Sequence, residues 1–371
     1  MILDSLQRLG AILFKELRQL RRDRPTFGMI VGLPLLQIIL FGYAINMDVR
    51  HMDAAVLDLA DNQQSRYWLD AAEASQLINI KHRAASAAEL DTLLRRGEVS
   101  VGIEIPTDFN RRTLDRQFQR TARPSGQILI DNTQPGLDAV AGQLARIPVQ
   151  QRIDNRVHSS AFAVQQLFNP ERRTAVQIVP ALIGVILNLS MVLFTAIAIV
   201  RERERGNLEF LITTPVRSAE LMLGKIIPYI LIGLIQVTLI LAVAVYLFDV
   251  VVAGSVLQLY FAAALFIAAT LALGLVISTL AKTQFQAMQL TVFTFLPSIL
   301  LSGFMFPFQG MPRFAQQLAE FLPLTHFVRL LRGIVLRGVD IREMPQATWA
   351  LTSFAVVLIL LAIVRFRKRL D

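Results

Sequence analysis

Few side chains in this sequence have the types and spacing that do chemistry. A nucleotide-binding P-loop needs a glycine-rich turn ending in Gly-Lys-Ser/Thr, so that backbone amides hold the phosphates and a hydroxyl holds the metal. The only Gly-Lys pair, Gly224-Lys225, is followed by Ile226, and Ala219 stands where the first glycine belongs. ATP hydrolysis by that route is therefore excluded. A GxSxG elbow and an HExxH helix are also missing. His51, His82, His158 and His326 are scattered without ligand spacing, and no cysteine is present to act as nucleophile, metal ligand or disulfide partner. The expectation is a protein that is not an enzyme and holds no metal.

The chemistry that remains is recognition by charge and shape. Residues 201–225, RERERGNLEFLITTPVRSAELMLGK, form a charge-dense segment between two long apolar runs. Leu208, Leu211, Ile212 and Pro215 fall at i, i+3, i+4 and i+7, which gives a short helix one apolar face. Asn207 suits its N-cap, and Pro215 stops it within about two turns. Such a helix lying along a membrane is placed to receive a push from a cytoplasmic partner. A solvated loop between two helices is the plainer reading of the same residues.

The elements around this segment are apolar enough to cross a bilayer. Runs 176–200 and 226–248 flank it, and 26–46, 256–280, 287–306 and 347–364 are further spans, which makes six transmembrane helices. A composition of 54% hydrophobic and 18% charged residues fits a polytopic α-helical membrane protein with one polar domain. The net charge of +9 does not point to nucleic acid, because it concentrates in the short segments between spans. Arg8, Lys15, Arg18, Arg21, Arg22 and Arg24 precede the first span, Lys282 sits in loop 281–286, and Arg365, Arg367, Lys368 and Arg369 end the chain. Loop 249–255 has no basic residue. Both termini are therefore expected inside, with anionic lipid headgroups as the partner of the excess charge.

Residues 1–25 place Leu3, Leu6, Leu9, Leu13, Leu17 and Leu20 on one face, as in an amphipathic helix on the inner membrane surface. Residues 47–175 read as an extracytoplasmic α/β domain. Its strands are expected at 54–59, 77–81, 99–105 and 127–130, with helices at 64–75, 87–95 and 106–120. A long helix over 135–168, kinked at Pro148, then leads back to the membrane. Asp131-Asn132-Thr133 fits ordinary turn chemistry or a binding loop. Between the last two spans, 312–322 and 325–337 are amphipathic pieces divided by Pro323, each too short to span. They suggest a re-entrant helical hairpin over 308–338 that carries Pro312, Pro323, Arg329, Arg332 and Gly338. Arg329, Arg332 and Arg337 would snorkel from it to headgroups. Polar residues within the spans, among them Ser190, Gln236, Thr238, Thr270 and Thr291, are expected to hydrogen-bond helix to helix.

With this organisation in place, the chain resembles the permease subunit of a bacterial type-2 ABC exporter, of the subgroup with a large periplasmic domain between the first and second transmembrane helices. The most specific stretch is Arg201-Glu202-Arg203-Glu204-Arg205-Gly206, continuing through Leu208-Glu209 and Thr213-Thr214-Pro215-Val216-Arg217 to Glu220, Leu221, Gly224 and Lys225. Asn207 stands where the family commonly has threonine. The resemblance makes 176–371 the type-2 transmembrane domain and 201–225 a coupling segment that docks on a separate P-loop ATPase. Arg203, Glu204, Arg205, Gly206, Leu208, Glu209, Leu211, Ile212, Thr214 and Pro215 would be its docking residues. Glu204, Arg205 and Glu209 would supply polar contacts, and Leu208, Leu211 and Ile212 would fill an apolar groove. No cofactor would bind this chain directly; ATP and Mg would act through the partner ATPase. The resemblance further implies a dimer with a second permease copy or paralogue, a periplasmic adaptor, and efflux of drugs, amphiphiles or envelope components across the bacterial inner membrane. The competing reading is a membrane-anchored sensor or envelope-assembly factor whose exported domain binds a ligand. Five closely spaced spans and a hairpin exceed what an anchor needs.

Overall fold

The computed structural model describes residues 51–117, 123–134, 136–148, 162–171, 173–206 and 218–365, together with Gly10, Phe14, Lys15 and Arg18. The expected span 26–46, the leucine face of residues 1–25 and the docking residues Leu208, Glu209, Leu211, Ile212, Thr214 and Pro215 lie outside the described residues.

The first half of the described chain folds around a five-stranded sheet. Strands β1 (Met52–Asp58), β2 (Ile78–Arg83), β3 (Val101–Ile105), β4 (Gly126–Asp131) and β5 (Phe162–Leu167) are arranged in the order β2-β1-β3-β4-β5. β1 pairs in parallel with both β2 and β3, β3 and β4 are antiparallel, and β4 and β5 are parallel. Successive side chains on a strand alternate between faces. In β1 this sends Met52, Ala54 and Val56 into one core, and Ala55 and Leu57 into another. A strand apolar on both sides requires cover on both faces. Helices α1 (Gln63–Ala74), α3 (Phe109–Gln117) and α4 (Leu137–Leu144) supply Trp68, Phe109 and Leu137 to the larger core. Helix α2 (Ala87–Arg96) covers the opposite face with Leu90 and Leu94.

The long helix expected over 135–168 is not present. α4 ends at Leu144, and Trp68 Nε1 donates to the carbonyl of Ile147 at 3.4 Å, drawing the chain back onto α1. Residues Phe162–Leu167 join the sheet as β5, and Phe162 stacks on Trp68 with ring centroids 4.0 Å apart. The helical period of Leu137, Val140, Ala141 and Leu144 is genuine but stops before Pro148, and burying Phe162 on the sheet outweighs continuing it.

Among the described residues, the second half contains five helices long and apolar enough to cross a membrane. These are α5 (Thr174–Glu204), α6 (Ser218–Phe248, apolar from Ile226), α7 (Val256–Leu280), α8 (Gln284–Leu301) and, after two short helices, α11 (Pro345–Arg365). The short pair is α9 (Arg313–Glu320) and α10 (Pro323–Leu331), and α10 continues as a π-helical turn over Arg332–Arg337. α5 and α7 are the most buried of the five and form the centre of the bundle. They approach closely at Gly274, where an added Cβ would lie 2.7 Å from the carbonyl oxygen of Val192, so only glycine fits. Phe266 of α7 stacks on Phe327 of α10 at 4.2 Å, which fixes the short pair against the bundle.

Several boundaries differ from those expected. α5 runs on to Glu204, and α6 begins at Ser218, so both ends of segment 201–225 are helical extensions of their spans. α8 stops at Leu301, because Gly303 takes a left-handed φ of +81° that turns the chain. Pro323 is the first residue of α10 and does not simply separate two helices, as its missing amide costs nothing there.

Candidate functional site

Two polar clusters lie at opposite ends of α5. At its C-terminal end, Arg205 caps the helix and Gly206 adopts a left-handed φ of +69°, with its amide donating to the Arg203 carbonyl at 3.0 Å. The charged run is committed largely to the turn between α7 and α8. Arg203 Nη1 donates to the carbonyl of Ala281 at 2.9 Å, and Arg201 Nε donates to Gln284 Oε1 at 3.2 Å. Glu204 accepts from the Gln284 amide at 2.9 Å and from the Gln284 side-chain nitrogen. A carboxylate on the first amide of α8 satisfies an orphan donor and complements the helix dipole. Glu202 is largely buried and lies 3.8 Å from Lys15 of the N-terminal stretch. Of the expected docking residues, Arg203 and Glu204 therefore tie the emerging segment to a neighbouring turn, and Arg205 and Gly206 end the helix. Gln284, the partner that Arg201 and Glu204 share, carried no motif that would have singled it out.

Around the α9–α10 pair the three arginines are not equivalent. Arg329 pairs with Glu320 at 2.6 Å and lies over the ring of Phe308, 4.3 Å from its centroid. Arg332 is only 5% exposed and donates Nη1 to the carbonyl of Gly303 at 3.0 Å. Arg337 Nε lies 3.4 Å from Asp131 Oδ2, with side-chain exposures of 7% and 0%. Snorkelling of Arg332 and Arg337 to headgroups is thus incorrect. Both reach inward, because buried acceptors lie closer than solvent. Pro312 caps α9, and Gly338 ends the π turn at a φ of +66°. Asp340 then clamps the next turn: it accepts from Gln258 Nε2 at 2.7 Å and from the Arg342 amide at 2.9 Å. These two donors hold its carboxyl below the ordinary value of 3.8.

Asp131-Asn132-Thr133 does show turn chemistry, with the Thr133 amide donating to Asp131 Oδ1 at 3.2 Å, but it is not an open binding loop. All three residues are fully buried at the joint between the sheet and the helices. Gln177 near the start of α5 donates to Asn132 Oδ1 at 2.8 Å and to its carbonyl at 3.1 Å. Gln309 accepts from Ser100 Oγ at 2.8 Å and from the Asp53 amide at 3.3 Å. The arrangement suits mechanical linkage rather than bond-making chemistry. Within the bundle, Ser190 donates to Gln236 at 3.1 Å and Thr238 shares a hydrogen bond with Tyr260 at 2.6 Å, so these pairs do link helices. Thr195, Thr270 and Thr291 instead bond carbonyls of their own helices.

The family described as "ABC-2 family transporter protein" matches residues 24–364. The chain is 30% identical over 385 residues to "Probable multidrug ABC transporter permease YbhS" of Escherichia coli strain K12, covering 99% of this chain and 98% of that protein. It is 27% identical over 377 residues to "Probable multidrug ABC transporter permease YbhR" of the same organism, covering 98% of this chain and 99% of that one. "Inner membrane transport permease YhhJ" from that strain is 27% identical over 378 residues and is matched over 95% of both chains. A match that takes in both the sheet and the apolar bundle means that the chain belongs to the ABC-2 family of transporter proteins.

Proposed function

We propose that this chain is the membrane half of an ATP-driven exporter, with a separate P-loop ATPase engaging residues 207–217. As an ABC-2 permease it is the transmembrane component of its transporter and not the ATPase. The observation that carries the proposal is the locked end of α5. Arg203 and Glu204 hold the exit of that helix against the α7–α8 turn, so a load applied just beyond Gly206 acts on three helices together. Glu209 and Arg205 are the polar docking contacts, and Leu208, Leu211 and Ile212 fill the partner's groove. Thr214 and Pro215 close that helix. ATP and Mg act in the partner, which moves the docked segment and opens a path between two permease copies.

The reading includes six spans with both termini inside, residues 47–175 as the exported domain, and residues 308–338 as a re-entrant hairpin in the outer leaflet. It also includes the bacterial inner membrane as location, a periplasmic adaptor as neighbour, and drugs, amphiphiles or envelope components as cargo. The multidrug names of two relatives and the absence of ionisable relays from the spans support export over ion-coupled uptake. Co-purification tests the docking. Glu209→Lys and Leu211→Asp should each lose the ATPase from solubilised membranes, together with export. Full retention of both by either variant rules the docking surface out.

A further inference from the structure

The joint between sheet and bundle is built from one end of the three central strands. Asp53 is the second residue of β1, Ser100 precedes β3 and Asp131 ends β4. The Ser100 amide donates to the Asp53 carbonyl and the Asp131 amide to the Ser100 carbonyl, each at 2.9 Å. This row meets the membrane half at Gln309, which takes the Ser100 hydroxyl and the Asp53 amide. It meets it again at Arg337, the last residue of the π turn, which is paired with Asp131.

Arg337 has a shaped seat. Gly97 caps α2 with a left-handed φ of +69°, and a Cβ there would collide with the Arg337 guanidinium. Its Nη1 also reaches the Arg95 carbonyl at 3.5 Å. A buried ion pair differs from a surface pair in that sliding the joint would strand both charges away from water. A wide π turn in a helix is, in addition, a frequent mark of function.

We infer that Arg337 is a positioning residue for transport, fixing the α/β domain to the α9–α10 pair so that the two move as one body through the cycle. This rests on the ATP-driven permease reading above. The α/β domain would then be carried with the pair, in place of hanging from the bundle as a loose appendage.

Because the chain has no cysteine, spin labels can be placed at will. The full permease is assembled with a cysteine-free partner ATPase in nanodiscs, and labelled copies are diluted with unlabelled ones. Exposed Glu73→Cys on α1 and Gln317→Cys on α9 report on the joint. Gln317→Cys with Lys282→Cys reports on motion along the bundle. Electron–electron resonance should give one narrow Glu73–Gln317 distance, unchanged between the nucleotide-free and the vanadate-trapped complex, while the Gln317–Lys282 distance shifts. Arg337→Gln should broaden the first distribution, and Arg337→Lys, which keeps the charge beside Asp131, should restore it. A Glu73–Gln317 distance that moves with nucleotide, or one that stays narrow in Arg337→Gln, overturns the inference. A static Gln317–Lys282 distance counts instead against the ATP-driven reading, and the Arg337→Gln comparison still judges the joint.

Discussion

Arg329 and Arg332 are three residues apart and share a side-chain type, yet their surroundings assign them opposite sensitivities. Arg329 forms a partly exposed pair with Glu320, the kind that contributes under about 1 kcal/mol. Arg332 is a buried donor to the Gly303 carbonyl, and reversing its charge leaves an unpaired anion inside the protein at a cost of ~3–5 kcal/mol. Arg329→Glu should therefore lower the unfolding midpoint of the purified protein only slightly, and Arg332→Glu should lower it severely. Arg332→Gln, which keeps a donor, should fall between them. Thermal unfolding in detergent measures all three, and equal losses for the two glutamate variants would contradict the assignment. Gly97 is the complementary case of a residue that matters for what it lacks. Its missing side chain leaves room for Arg337, and its left-handed backbone disfavours any replacement.

Among the elements, the turn that feeds α11 is held by Asp340 through Gln258 and the Arg342 amide. Its carboxyl pKa lies below 3.8 in the folded chain, so its contribution is present above that pH and is lost only as acid takes the pH down through the lowered pKa. Between pH 7 and pH 5 wild type and Asp340→Asn should unfold in parallel. Below about pH 4 the wild type should lose stability faster than the variant, because only it has a carboxylate at position 340 to protonate. Unfolding midpoints across that range test the clamp. The elements also show what the sequence made legible. The first four strands announced themselves as short runs rich in Val, Ile and Leu, and the described spans as long runs without charge. β5 was hidden because α4, just before it, begins with a clean helical period, and nothing local marks FAVQQL as the partner of β4. The joint was hidden for a stronger reason. Arg337 meets Asp131, and Gln309 meets Ser100, only once two halves of the chain are folded against each other. Arginines beside an apolar helix otherwise look like headgroup anchors. At the other end of the bundle, Arg201 and Glu204 stood out by charge, whereas their partner Gln284 did not.

For the molecule as a whole, the orientation of the bundle is the proposal on which the rest depends. The cysteine-free chain again allows a direct reading. Asp249→Cys, in the turn after α6, should react with an impermeant maleimide in intact spheroplasts, whereas Lys282→Cys should react only after the membrane is opened. Labelling of Lys282→Cys from outside would invert the topology and remove the ATPase docking with it. The same turn after α6 is held to the start of α5, since Arg173 donates to the Phe248 carbonyl at 2.7 Å and lies 3.5 Å from Asp249. A cation at that carbonyl end complements the helix dipole.

The seat of Arg337 limits how such proteins can be recombined. A chimera that exchanges residues 51–171 for the corresponding piece of another permease would look modular, since only two chain crossings need to be joined. It would nevertheless place a foreign surface over a buried guanidinium shaped to one glycine and one carboxylate. Gly97, Asp131 and Arg337 must travel together as a single unit of inheritance, although they are distant in the chain. A graft that carries the first two without the third, or the reverse, will be mismatched at the centre of its joint.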